Sequence, residues 1–164
     1  MLYIYFVLYI FNHKNMKSHS FKSKFGWITV KEERNIITSI NFGKSKNIGN
    51  SNNLKKFKKN FKKFLIKKTN ILHSQIIMKG TKLQIKIWKE LQKIPYGTTK
   101  SYGEIAKKVK TSPRYVGNVC GQNKHLIVIP CHRVIRGDGG LGGFSAPGGN
   151  KTKKKILNLE GLKI

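Results

Sequence analysis

Acidic residues are scarce. The 164-residue chain carries six Asp and Glu against 34 Lys and Arg, a formal net charge of +28. Such a surplus favours a polyanionic partner, nucleic acid or an anionic membrane surface. Composition offers a plainer account, because Lys, Asn and Ile dominate as AT-rich codon usage would produce. The charge alone therefore does not establish nucleic-acid binding. Cysteine is scarcer still. Cys120 and Cys131 stand eleven residues apart with no C-x-x-C spacing, which suggests neither a disulfide framework nor a zinc knuckle. No structural metal is expected, since His13, His19, His73 and His125 show no ligand spacing. Two lone thiols suit a reducing compartment, cytoplasmic or, in a eukaryote, nuclear. A long hydrophobic run is also missing. Residues 1–12, MLYIYFVLYIFN, are too few to span a bilayer comfortably and lack a basic flank and a cleavage site. Residues 1–15 are expected to be an apolar extension or a mis-called start, with a membrane anchor as the alternative. No stable membrane association is expected.

The remaining chain reads as alternating patterns. Residues 19–43 are expected to form a hairpin, with Phe21, Phe25, Trp27 and Ile36, Ile37, Ile40 on its strands and Lys31–Asn35 as its polar turn. Residues 43–53 are loop-like. Leu54, Phe57, Phe61, Phe64 and Leu65 make one apolar stripe, so 54–68 is expected as a helix packed on that sheet. A lysine-faced surface helix is the alternative. Residues 71–78 read as an extended connector, and a boundary is expected near Lys79-Gly80. Thr81 caps a helix to about Lys93. Ser101 and Glu104 form an S-x-x-E capping box. Ser112 caps a further helix with Pro113 at its first position. Two short helices joined by the tight turn Lys110-Thr111 outline a helix-turn-helix, the second carrying Arg114. A buried strand is expected at 126–129. Asn150 is expected to cap a last helix that ends near Glu160.

The chemistry concentrates in Ile129-Pro130-Cys131-His132-Arg133-Val134-Ile135. An ionisable trio inside an apolar run is costly unless it works. Cationic neighbours are expected to lower the Cys131 pKa and make it a nucleophile. A cysteine in such a run is ordinarily a buried structural residue, and Cys120 is read that way, with a place on the pocket wall left open. The Gly-rich loop 142–149 lacks the strand–GxxxxGK[ST]–helix layout of a phosphate cradle. It suits close backbone approach to a flat ligand instead.

The run IPCHRVI, with SYGEIA upstream and RYVG between, resembles the O6-alkylguanine-DNA alkyltransferases over roughly residues 80–162. The resemblance implies an α/β (α+β) chain. A small N-terminal β-sheet/helix subdomain of RNase-H-like type (16–79) would precede a helical, winged-helix-like C-terminal subdomain with the helix-turn-helix (80–164). It implies that Cys131 accepts the alkyl group of O6-methylguanine, and of O4-methylthymine as a further substrate, once and irreversibly, as a methylated-DNA–protein-cysteine methyltransferase. His132 would deprotonate the thiol through a water. Glu160 would orient His132, and Asn123 would hold the network. Tyr102 would bond a base ring nitrogen and help guanine leave. Arg133 would support the site. The carbonyls of Cys131 and Val134 would read the exocyclic amine, and the Ser145 backbone would approach the alkylated oxygen. Arg114 would fill the gap left by a flipped base, and Gly117 would allow close packing or close approach to DNA. The implied partner is double-stranded DNA with alkylated bases, bound by a monomer through minor-groove contact, with no small-molecule cofactor. Phe144 stands where some members have tyrosine, which bears on bulky adducts.

Two rivals remain open at the level of sequence. One is an alkyltransferase-like protein that binds lesions without transfer; such proteins lack the cysteine that is present here. The other is a general nucleic-acid-binding or architectural protein in which the charge is the function. On residue type alone, Tyr102 also reads as a core tyrosine and Arg114 as a surface arginine.

Overall fold

A computed structural model describes residues 16–164 except 71 and 73. The expectation for residues 1–15 lies outside the described residues, as do His13, Ile71 and His73. Strands β1 (Met16–Ser23), β2 (Gly26–Glu33) and β3 (Ile36–Phe42) form an antiparallel sheet in the order β1-β2-β3. This is a three-stranded meander rather than the single expected hairpin. The missed turn is Lys24-Phe25, where Ser23 Oγ accepts from Phe25 N and donates to the carbonyl of Gly26, and Gly26 takes φ +104°. The second turn is narrower than Lys31–Asn35. Arg34 and Asn35 both adopt positive φ, 50° and 63°, as a two-residue hairpin turn of this hand requires. Lys31, Glu32 and Glu33 therefore stay in β2, with a bulge between Lys31 and Glu32, and Glu32 is buried.

Helix α1 (Asn52–Leu65) starts at Ser51, whose hydroxyl accepts from the amides of Asn53 and Leu54. It stops three residues before the expected end, and Lys67 turns left-handed at φ 58°. Its stripe Leu54, Phe57, Phe61 and Phe64 is buried against Phe21, Ile28, Val30, Ile37 and Ile40, with Phe21 edge-on to Phe61 at 5.5 Å between centroids. Each such buried side chain contributes about 1.5–3 kcal/mol. That face is therefore core.

The second cluster is built by α2 (Lys82–Gln92), α3 (Tyr102–Val109) and α4 (Pro113–Gly121). Each begins at a side-chain cap: Thr81 with Gln84, Ser101 with Glu104, and Ser112. Lys110, at φ 60°, turns α3 into α4. Trp88 Nε1 of α2 donates to the carbonyl of Val119 at 3.1 Å, fixing α4 on α2. A short parallel pair, β4 (Lys100–Ser101) with β5 (Val134–Ile135), brings the start of α3 beside the residues that follow Cys131.

Leu126, Ile127 and Ile129 are buried, and Val128 is partly buried, but residues 126–129 do not form a strand. Leu126 and Ile129 bridge each other across a turn at Ile127-Val128, and Ile127 sits at φ 72°. A continuous apolar run signals burial without fixing backbone shape, which explains the difference. His125 bridges Ile40, so this turn also ties the helical half to the sheet, and Ile127 and Leu159 enter the sheet's cluster. The last helix, α5 (Gly149–Leu159), is capped by Gly148 at φ 81° and not by Asn150. Paired glycines turn the backbone two residues earlier, leaving Asn150 exposed in the first turn. Among the described residues no helix is long and apolar enough to cross a membrane.

Candidate active site

Pro130 ends the buried turn, and Cys131–Arg133 form one 3-10 turn. Its three side chains are all buried. Asn123, just past α4, organises the thiol. Its Nδ2 donates to Cys131 Sγ at 3.2 Å and to the carbonyl of Ile129 at 2.9 Å, while its Oδ1 accepts from His125 N at 2.8 Å. All polar atoms of the amide are thus engaged, so its orientation is fixed. The expected lowering of the Cys131 pKa is not found. Burial pushes it up and outweighs the Asn123 bond, the Lys153 charge and the nearby backbone amides. The expectation fails because the Arg133 cation is neutralised by Glu160 and His132 is held uncharged. The resting group is a thiol, which must lose its proton before it can act as a nucleophile.

His132 and Glu160 lie side by side, with Nε2 donating to Oε1 at 2.9 Å. Burial lowers the His132 pKa more than the carboxylate raises it. A neutral ring that donates from Nε2 leaves Nδ1 as an acceptor. Among the described residues, buried Nδ1 has no partner. Burial pushes Glu160 up, but the hydrogen bonds from His132 and Arg133, with the Arg133 charge, hold it at about 2. Arg133 grips the carboxylate twice, Nε to Oε2 and Nη2 to Oε1, both at 2.9 Å, and Nη1 donates to the carbonyl of Ile94 at 2.7 Å. Glu160 is the C-cap of α5, the end where a helix disfavours negative charge. The guanidinium offsets that penalty.

A cavity of about 540 Å³ opens beside Cys131, walled by Tyr102, Gly117, Cys120, Phe144 and Ser145. Its size suits a base-sized ligand. The start of α3 places Tyr102, and burial followed by the two thiols raises its pKa to about 12, so its hydroxyl stays a donor. Ser145 is exposed at the rim. Arg114 is exposed in the first turn of α4 and does not line the cavity. Gly117 does line it, yet a Cβ there would meet the Tyr102 ring at an ordinary 3.8 Å. Packing inside the protein is therefore not what requires a glycine. The Val134 carbonyl already accepts from Lys153 Nζ at 2.6 Å, so it offers a base only its second lone pair.

Two residues escaped the sequence reading. Lys153 is fully buried, donates to the carbonyls of Val134 and Leu141, and so clasps β5 to the start of the Gly-rich loop. Burial lowers its pKa to about 8. The run Thr152-Lys153-Lys154-Lys155 hides it, although its i, i+3, i+4 relation to Ile156 and Leu157 places it on the apolar side of α5. Gly142, at φ 66°, is required: a Cβ there would lie 2.8 Å from the Tyr102 ring and hydroxyl.

Residues 82–162 match the family model for the DNA-binding domain of 6-O-methylguanine DNA methyltransferase. The chain is 37% identical over 147 residues to a methylated-DNA–protein-cysteine methyltransferase of Saccharolobus solfataricus, covering 88% of this chain and 95% of that one. It is 35% identical over 148 residues to one of Metallosphaera sedula, covering 88% and 93%. Its structure is similar to that of Mycobacterium tuberculosis OGT in complex with DNA, with a TM-score of 0.79, 28% identity and coverage of 87% and 91%.

Proposed function

Because the chain belongs to the 6-O-methylguanine DNA methyltransferase family, we propose that it repairs DNA by moving the alkyl group of O6-methylguanine onto its own Cys131. The protein is a methylated-DNA–protein-cysteine methyltransferase. The observation that carries the residue assignment is a thiol at a base-sized cavity, bonded by Asn123 and adjoining a neutral His132 whose partner is an ionised Glu160.

In this reading His132 Nδ1 takes the thiol proton through a water, Glu160 stabilises the imidazolium that forms, and Arg133 keeps Glu160 ionised. Nucleophile, base and orienter follow the general pattern of covalent catalysis. The Sγ–carbon bond forms as the carbon–O6 bond breaks, and Tyr102 donates to a ring nitrogen of the departing guanine. The thioether is not reconverted, so each molecule acts once. O4-methylthymine is a second substrate of the same displacement. The target oxygen lies inside the duplex, so the base is flipped, at a few kcal/mol and less where damage has weakened pairing. Helix α4 supplies both cavity wall and exposed Arg114, which supports its entry into the minor groove with Arg114 filling the emptied stack. Ser145 borders the alkylated oxygen, and the protein acts as a monomer.

Intact mass after incubation with a duplex containing O6-methylguanine tests this. One methyl in place of hydrogen per molecule, absent in Cys131→Ala, is expected. Lesion-selective binding without mass gain would make the protein a damage-recognition module, and neither result would leave a basic nucleic-acid binder.

A further inference from the structure

Helix α1 has two faces with different fates. The apolar face is buried in the sheet. The outer face carries Lys55, Lys56, Lys59, Lys62 and Lys63, all exposed. No Asp or Glu occurs from Arg34 to Lys89. Among the described residues none of these five lysines has an ion-pair partner. Among the same residues some surface cations elsewhere do: Lys93 and Lys108 share Glu90, Lys100 meets Glu104, and Arg136 meets Asp138, while Lys82, Lys86 and Lys89 of α2 stand unpaired like those of α1. Lysines three and four apart on a helix repel one another, so the arrangement costs the fold stability. The field reaches inward too: burial, then Lys58 and Lys55, lowers the pKa of His19 on β1. None of α1 lines the active-site cavity, and α1 belongs to the other cluster.

We propose that the lysine face of α1 is a second nucleic-acid surface, which holds the phosphate backbone of DNA beyond the segment bound by α4. The eight-residue rise from Lys55 to Lys63 is about 12 Å. Phosphates of one strand recur about every 3.4 Å along the duplex axis, so the face meets three or four of them. Flexible ammonium groups suit such contacts, which need no sequence readout. The surface gives affinity for long DNA on which lesions are sought. The inference rests on the DNA-repair reading only for the identity of the polyanion.

The test uses the whole chain with K55Q/K59Q/K62Q/K63Q, beside a control that removes four lysines elsewhere, K82Q/K86Q/K89Q/K163Q. Affinity is measured against salt on a duplex of about one helical turn and on one of about four turns. Each lost phosphate contact lowers the slope of log K against log salt by about 0.9. On long DNA the α1 variant is expected to lose about 2.7–3.6 of slope and the control less than about 1. On the short duplex the α1 variant should match the unaltered protein. Equal losses in the two variants overturn the proposal, because the charge then acts only in bulk. An unchanged DNA slope with lost sedimentation on anionic phospholipid vesicles also overturns it in favour of a membrane surface. Methyl transfer to Cys131 on the short duplex is read alongside. Its failure in the unaltered protein would count against the repair reading and leave the slope comparison intact. Circular dichroism checks the variant fold, which relief of repulsion should strengthen.

Discussion

Arg133→Met is the most informative single change. Its guanidinium makes two 2.9 Å bonds to Glu160 and one 2.7 Å bond to the carbonyl of Ile94, all buried. Removing it strands a carboxylate in the interior at the C-terminal end of α5. Breaking a buried pair in this way costs about 3–5 kcal/mol. For a domain of this size each kcal/mol moves Tm by about 2–4 °C, so a fall of about 6–20 °C is expected. Chemistry should change in a definite direction as well. Arg133 lowers the His132 pKa and Glu160 raises it. Without Arg133 one opposing influence is gone, though burial and Lys153 remain, so His132 holds a proton to higher pH and the acid limb of the transfer rate moves upward. The double variant R133M/E160Q removes the stranded charge. It should recover about 1–3 kcal/mol relative to R133M, as coupled neighbours do. Urea unfolding and intact-mass rates across pH read both effects. A Tm loss below about 2 °C, or a double variant no more stable than R133M, would refute the claim that Arg133 serves chiefly to hold Glu160 ionised.

Other outcomes follow from the same geometry. Asn123→Leu removes the donor to Sγ and to the carbonyl of Ile129, at about 1–3 kcal/mol; thiol titration should move upward and methyl transfer should slow about 10–100-fold in single-turnover mass kinetics. Gly142→Ala should displace Tyr102 and slow transfer to DNA, while Cys131 alkylation by a small reagent such as iodoacetamide stays unchanged. Glu160, held at about 2 against an ordinary value of 4.5, contributes stability that is complete above about pH 4.5 and is lost as pH falls through about 2. That contribution is on the order of 3 kcal/mol, and Glu160→Gln should flatten acid unfolding over that window.

Much of the helical half was legible because its signals are local. Ser101, Ser112 and Thr81 sit one residue before their helices, and each cap needs only its own next three residues. The stripe Leu54-Phe57-Phe61-Phe64 announced a buried face by spacing alone. The sheet was less legible. A turn such as Lys24-Phe25 lacks the Asn-Gly signature and rests on one glycine and a serine hydroxyl. The buried turn at Ile127 could not be separated from a strand, since both show an unbroken apolar run. In the site, residue types pointed to Cys131 and His132, but the electrostatics inverted the expectation. Whether Arg133 lowers a thiol pKa depends on what else it touches, and Glu160 lies 27 residues away. Lys153 was hidden for a like reason: one lysine among several, singled out only by the carbonyls that surround it.

The wiring of Glu160 has a kinetic consequence. Its bonds reach Arg133 across 27 residues and the amide of Gly97 across 63, and the neighbouring carbonyl of Leu159 accepts from the Tyr96 hydroxyl across the same 63. Contacts so distant along the chain require large loops to close and form late, after locally capped helices such as α3 and α4. Until those contacts close, His132 has no ionised partner, whereas α3 and α4 need only their own local caps to form. On the proposed reaction the thiol then lacks its base. If each molecule reacts once, as proposed above, that order of events is an advantage, because the proposed nucleophile is armed by the same long-range contacts that close the fold.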